Sequence, residues 1–221
     1  MNLQNPASNS VDAQHATATS SWSARLVLIL LTLIAMVQFF DRALMVVILE
    51  PLKQEFSLTD AQLGFLSGFS YAAAFALAGI PFGWMADRGN RRNLLAALLA
   101  IWSGLVALAG SASSFTGLVL TRVGIGAADA GGQPCSVSII SDLYPTQKRA
   151  SAVAIFFVGV PLGMASGFIV GAMVAGQLGW RTAFYVAAIP GALLTVLLLL
   201  LVKEPQRGAS DGLSESKEAA P

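Results

Sequence analysis

Charge is scarce in this chain: Asp, Glu, Lys and Arg together make up 11% of the residues, against 55% hydrophobic ones, with a mean hydropathy of +0.69. A soluble domain carries about a quarter charged residues, so this composition excludes an ordinary water-exposed fold and favours the membrane class. The net charge is +1, and no basic cluster is interleaved with aromatics, so no nucleic acid is expected as partner. Cys135 has no sequence partner for a disulfide or a metal site. The single histidine, His15, lies in a polar N-terminal stretch and is assigned no ligand role. No glycine-rich phosphate loop ending in Lys-Ser or Lys-Thr occurs, which argues against an ATP-driven pump. "GFLSGFS" at 64–70 is not a Gly-x-Ser-x-Gly elbow, and the apolar part holds no histidine to serve as a base. Neither an enzyme nor a cofactor is expected.

What the chain does have is long apolar runs. Each of six stretches, roughly 26–48, 62–86, 93–111, 116–141, 151–176 and 183–202, could cross a hydrocarbon core that takes about 20 residues. The expected fold is an all-α membrane protein of six transmembrane helices over 25–202. Residues 1–24 and 203–221 are small, polar or charged, and read as disordered cytoplasmic tails. Alternate connections divide the basic residues unequally: Arg25, Arg88, Arg91, Arg92, Lys148, Arg149, Lys203 and Arg207 on one side, Lys53 and Arg181 on the other. By the positive-inside rule both termini are cytoplasmic, and an integral protein of the plasma (inner) membrane is the expectation.

Helices one to three echo helices four to six, as two inverted three-helix repeats would. The first of each triplet carries an acid and an arginine, Asp41 with Arg42 and then Arg122 with Asp129. The second of each is followed by a Gly-Trp and an arginine: Gly83, Trp84 and Arg88, then Gly179, Trp180 and Arg181.

The intramembrane charges are the informative feature. An Asp or Arg at mid-helix costs about 2.5–3.5 kcal/mol, while each Leu, Ile, Val or Phe returns about 0.3–0.6 kcal/mol, so the first helix inserts only narrowly. Asp41 and Arg42 are adjacent, hence about 100° apart around the axis, and cannot neutralise each other. Arg122 and Asp129, two turns apart, share one face of the fourth helix and are candidate partners. Two readings follow: a pair of buried ion pairs locking helix one to helix four, or the lining of a water-accessible cavity in which a carboxylate, Asp41 first, exchanges a proton while an arginine holds an anionic group.

Gly159, Gly163, Gly167 and Gly171 recur every fourth residue of the fifth helix, a smooth stripe that admits a neighbouring helix closely, with Pro161 as a candidate bend; packing and hinge motion both fit. "GWMADRGNRR" at 83–92 crowds Gly83, Asp87, Arg88, Arg91 and Arg92 into a short cytoplasmic turn. Arg91 and Arg92 would serve as positive-inside anchors alone, whereas Asp87 could cap a helix N-terminus and latch one conformation.

These residues resemble the Gly-x-x-x-Asp-Arg-x-Gly-Arg-Arg loop of the major facilitator superfamily, with Asn90 in place of a glycine, and Arg122 with Gly124 and Gly126 fits its fourth-helix pattern. "FFDR" at 39–42, "TRVGIGAADAGGQP" at 121–134, "GWRTAF" at 179–184 and "KEPQRG" at 203–208 are similar to the spinster-like branch. The resemblance implies half of a twelve-helix alternating-access carrier, with 203–221 either a tail or a truncated central linker. Asp41 would couple protons, Arg42 and Arg122 would be cavity cations, and the fifth helix a flexing gate. Its relatives move amphipathic, often phosphorylated lipids such as lysolipids or sphingoid phosphates. The branch usually has glutamate where Asp129 stands. The implied partners are the bilayer, protons, a small solute and a second six-helix half, from a further copy or another chain. A non-transporting six-helix scaffold, fragment or regulatory partner of a full-length carrier is the alternative.

Overall fold

The computed structural model describes residues 6–208, with side chains from Ala24 onward. It is helical throughout these residues: α1 (Pro6–Val47), α2 (Leu49–Phe56), α3 (Asp60–Gly64), a π-helical turn (Phe65–Phe69), α4 (Ser70–Arg88), α5 (Arg91–Gly110), α6 (Phe115–Ala130), α7 (Gly132–Leu143), α8 (Thr146–Leu178) and α9 (Trp180–Leu201). The backbone of α1 is helical from Pro6, inside the segment that composition reads as a disordered tail. Proline suits a first helical position, and no glycine or proline follows until Pro51, so nothing in the sequence stops the apolar helix from propagating backward.

Local signals set the other boundaries. Ser57 closes α2 in the left-handed region (φ 51°). Thr59 and Gln62 form a reciprocal capping box at α3, and the side chains of Asn90 and Ser114 accept from Asn93 N–H and Gly117 N–H to start α5 and α6. Gly179, at φ +84°, is the single residue between α8 and α9, a conformation that favours glycine. Helices α4, α8 and α9 run unbroken through Pro81, Pro161 and Pro190.

Five helices among the described residues are long and apolar enough to cross a membrane: Ala24–Val47, Asp60–Arg88, Arg91–Gly110, Thr146–Leu178 and Trp180–Leu201. The fourth expected crossing, 116–141, is divided at Gly131 into α6 and α7, 16 and 12 residues long, each short of a full span on its own. Gly131 and Gly132 fall at this break, and Pro134, which has no N–H to return to the carbonyl of Ala130, follows within one turn.

The helices pack in reciprocal pairs: α1 against α8, α4 against α6, and α5 against α9. Trp102, Phe156, Phe184, Leu31 and Ile34 fill the core between them. Along α8, the glycine stripe faces α1. A Cβ added at Gly159 would lie 2.5 Å from the Thr32 carbonyl oxygen, one at Gly167 2.5 Å from that of Phe40, and one at Gly163 would run into the Met36 carbonyl. Gly171, at the end of the stripe, meets the side chain of Leu44.

Both ends of the bundle are tied by charge. At one, Glu55 of α2 accepts from Arg181 (2.9 and 2.6 Å) and from the Trp180 indole (2.7 Å). At the other, residues 203–208, part of the segment expected to be disordered, are held in place. Glu204 accepts from Arg91 Nε at 2.8 Å and from the backbone N–H of Arg92 at 2.8 Å. Arg207 donates to the carbonyls of Ala86, Asp87 and Gly89 that end α4. A cation over those carbonyls is the arrangement that a helix C-terminus favours. The rest of that segment, 209–221, lies outside the described residues.

Candidate functional site: crossed ion pairs between α1 and α6

The four intramembrane charges converge at the contact of α1, α4 and α6, and they pair crosswise. Arg122 of α6 donates to both oxygens of Asp41 of α1, Nη1 to Oδ2 at 2.8 Å and Nη2 to Oδ1 at 3.3 Å. Arg42 of α1 donates to Asp129 Oδ2 of α6 at 3.3 Å. Because Asp41 and Arg42 point to different sides of α1, each reaches a different turn of α6, and the two-turn spacing of Arg122 and Asp129 accommodates both.

The pairs differ in exposure. The side chains of Asp41 and Arg122 are 1% and 3% exposed, a two-pronged ion pair sealed in the bundle, which is the geometry of the interhelical lock. Asp129 is also buried, but its partner Arg42 is 31% exposed. The Arg42 guanidinium lies over the rings of Phe39, Tyr71 and Phe75, 4.3, 5.0 and 5.7 Å from their centroids. A buried ion pair is weak evidence for stability by itself, since desolvation competes with attraction. What marks this cluster is its incomplete satisfaction. Asp129 Oδ1, Arg42 Nε and Arg122 Nε are buried with no hydrogen-bond partner among the described residues. Native interiors leave few such atoms, and each calls for a reason.

Tyr71, which the sequence reading passed over, completes the site. Its hydroxyl donates to Asp129 Oδ2 at 2.6 Å. A signal is present in the sequence: a phenol within an apolar span tends to find a polar partner, and Tyr71 is half-buried here. Gly126 brings it there, since a Cβ at that position would collide with the Tyr71 backbone carbonyl. Gln38, one turn before Asp41 and Arg42, is also buried and lies against Gly132 at the α6–α7 break.

The loop motif separates into three kinds of residue. Gly83 faces open space, with nothing within 4 Å of an added Cβ. Asp87 is exposed, while Arg88 stacks over Trp84 at 4.4 Å. Arg91 is far from a surface anchor: it is 2% exposed and joins Asp142, Glu204, Ser138 and the Pro205 carbonyl. Asp142 and Glu204 are distant in sequence, so spacing could not pair them with Arg91. None of the four crossed charges lines the apolar groove of about 460 Å³ between α1, α8 and α9, which is bordered by Leu33, Met36, Phe40, Val170 and Pro190.

The ionisable side chains paired between α1 and α6, and the charged turn between α4 and α5, fit an all-helical membrane fold of the major facilitator class. The family model described as Major Facilitator Superfamily matches residues 31–220, and the chain belongs to that family. Its relatives are spinster-like transporters of the same superfamily. It is 32% identical over 212 residues to Protein spinster homolog 1 of Bos taurus, covering 94% of this chain and 40% of that protein. An MFS-type efflux pump of Mycolicibacterium smegmatis is 30% identical over 211 residues, 96% of this chain and 47% of the pump. The crystal structure of a bacterial homolog to the human lysosomal transporter Spinster, inward-facing and unoccupied, superposes with a TM-score of 0.82 at 36% identity, over 84% of this chain and 44% of that one. The chain thus spans about half the length of the relatives it matches, corresponding to their N-terminal half.

Proposed function

We propose that this chain forms one half of a proton-coupled secondary transporter that moves an amphipathic or anionic organic solute, such as a lysolipid or sphingoid phosphate, by alternating access. The observation that carries the reading is the crossed set Asp41–Arg122 and Arg42–Asp129, with three of its buried polar atoms lacking a partner among the described residues. Ionisable groups are kept inside a membrane chiefly where protons, ions or charged solutes pass. Arg42, half-open and sleeved by aromatic rings, suits a solute with an anionic head and an apolar body. Asp41 and Asp129 are the proton-carrying carboxyls.

In this reading α6 and α7 together make one crossing, giving six in two inverted three-helix repeats with both termini cytoplasmic in the plasma membrane. The reciprocal packing supports it: α1 on α8 and α6 on α4 exchange under such a two-fold, and α5 on α9 maps onto itself. Residues 203–208 are the start of the connection to a second six-helix half. Exposed apolar side chains of α4 (Leu77, Ile80, Trp84) and α8 (Leu162, Ile169, Met173) offer that half a face, open Gly83 gives room for close approach, and Asp87 is free to cap one of its helices as a cytoplasmic latch. The stripe Gly159, Gly163, Gly167 and Gly171, with Pro161 among them, lets α8 slide on α1.

A second reading, a non-transporting scaffold or regulatory partner of a full-length carrier, is favoured by the sealed Asp41–Arg122 pair. Proteoliposomes separate the two. With an imposed pH gradient, a monoacyl phospholipid should be taken up by the carrier in a gradient-dependent manner. Uptake equal to that of protein-free vesicles, from a correctly folded chain, would leave the scaffold.

A further inference from the structure

We infer that Tyr71 is a positioning residue for Asp129, holding one carboxylate oxygen so that an arriving proton is taken on the other. The inference rests on the reading of Asp129 as a proton-exchanging group and adds how the exchange is oriented. Asp129 Oδ2 accepts twice, from the Tyr71 hydroxyl at 2.6 Å and from Arg42 Nη2 at 3.3 Å. Oδ1, on the same carboxyl, is buried and accepts from nothing among the described residues. A carboxylate in this state has its free lone pairs on Oδ1 alone, so the O–H bond forms there.

The two donors on Oδ2 then respond differently. Arg42 is bound through charge, and a neutral carboxyl weakens its hold. Being 31% exposed and supported by stacking, it can turn toward the open face of the described bundle without being sealed in its interior. The phenol is neutral, and its hydrogen bond to the C=O of the protonated acid survives. Tyr71 thereby keeps the carboxyl facing the same way in both protonation states, while Arg42 is released to another anion. The ring is fixed for this purpose: it stacks on Phe75 at 6.0 Å, and Gly126, one turn before Asp129 on α6, lets the α4 backbone approach closely. The ionisable groups that act on Asp129 are Arg42 and Asp41 from α1 and Tyr71 from α4, while Arg122 of α6 is engaged by Asp41.

Infrared difference spectroscopy on the purified chain in lipid nanodiscs tests this without requiring transport. A pH step should produce a protonated-carboxyl C=O band that Asp129→Asn deletes; with no such band in the unmodified chain, the underlying reading of Asp129 fails. With the band present, Tyr71→Phe should move it to higher frequency, as expected for a C=O that loses a hydrogen bond, and an unmoved band would overturn the role of Tyr71. Should Tyr71→Phe not fold, ring-labelled tyrosine in the unmodified chain gives the same answer. A tyrosine C–O band moving in step with the carboxyl band supports the inference, and one indifferent to it refutes it.

Discussion

The packing of α8 on α1 gives a prediction whose sign changes along a single helix. A C···O contact relaxes at about 3.3–3.6 Å, and an alanine Cβ at Gly159 or Gly167 would sit 2.5 Å from a backbone carbonyl of α1. The helices would have to part by about 0.8–1.1 Å, the difference between those distances. Neither obstacle is a flexible side chain, so the strain spreads along the interface. Overpacking of this kind costs about 1–3 kcal/mol, against about 0.5–1 kcal/mol gained because alanine is the better helix former. Gly159→Ala and Gly167→Ala should each destabilise the bundle by roughly 0.5–2 kcal/mol. Gly176→Ala, on the same helix with nothing within 4 Å of its Cβ, should be neutral or stabilising by up to about 1 kcal/mol. Reversible unfolding in mixed micelles measures all three. Equal effects at Gly167 and Gly176 would mean that the glycine stripe sets no close contact.

Asp41→Asn should cost about 3–5 kcal/mol, because it strands the Arg122 guanidinium in the interior, whereas Asp41→Leu with Arg122→Met should return to near the original stability; a double variant as unstable as the single one would show that the pair contributes more than mutual neutralisation. Glu204→Ala removes acceptors from Arg91 and from the Arg92 N–H, and with charged hydrogen bonds worth about 1.5–3 kcal/mol, amide exchange at the turn around 88–92 should accelerate accordingly, while unchanged exchange would mean that the strap holds nothing. The hydrogen bonds from Arg181 and then Trp180 hold the Glu55 carboxyl below its ordinary range. With its folded value depressed, the tie between α2 and α9 is fully present above the ordinary carboxylate pKa and is lost only as pH falls through the lower value. Amide protection in α2, taken relative to the intrinsic exchange rate at each pH, should therefore be flat from neutral pH down to the ordinary carboxylate range and fall below it, and Glu55→Gln should abolish that acid step.

How much of this could be read in advance depended on range. The apolar runs, the shared face of Arg122 and Asp129, and the smooth face of α8 follow from helical periodicity, which is local. The crossed pairing does not, because which acid meets which arginine depends on the relative height of α1 and α6, set by packing such as that of Gly126 on Tyr71. Arg91 shows the same limit more sharply. Its neighbours Arg88 and Arg92 look equivalent in sequence, yet Arg91 alone is buried, because Asp142 and Glu204 converge on it from far along the chain. The break at Gly131 combines both kinds of cause. Pro134 and the Gly131–Gly132 pair are local signals, but an apolar composition that continues past them conceals the one-residue interruption at Gly131. At the N-terminus, polar composition argues for disorder, while the described backbone is helical from Pro6, which the absence of any later helix-breaking residue before Pro51 permits.

The central claim is that the crossed charges carry protons in step with a solute. The direct measurement is proton flux into proteoliposomes, followed with an internal pH-sensitive dye, when a monoacyl phospholipid is added to the unmodified chain and to its Asp41→Asn and Asp129→Asn variants. Solute-dependent proton movement in the unmodified chain, lost in both variants although each reconstitutes as a folded protein, is the predicted result. Proton movement of the same size in all three would contradict it.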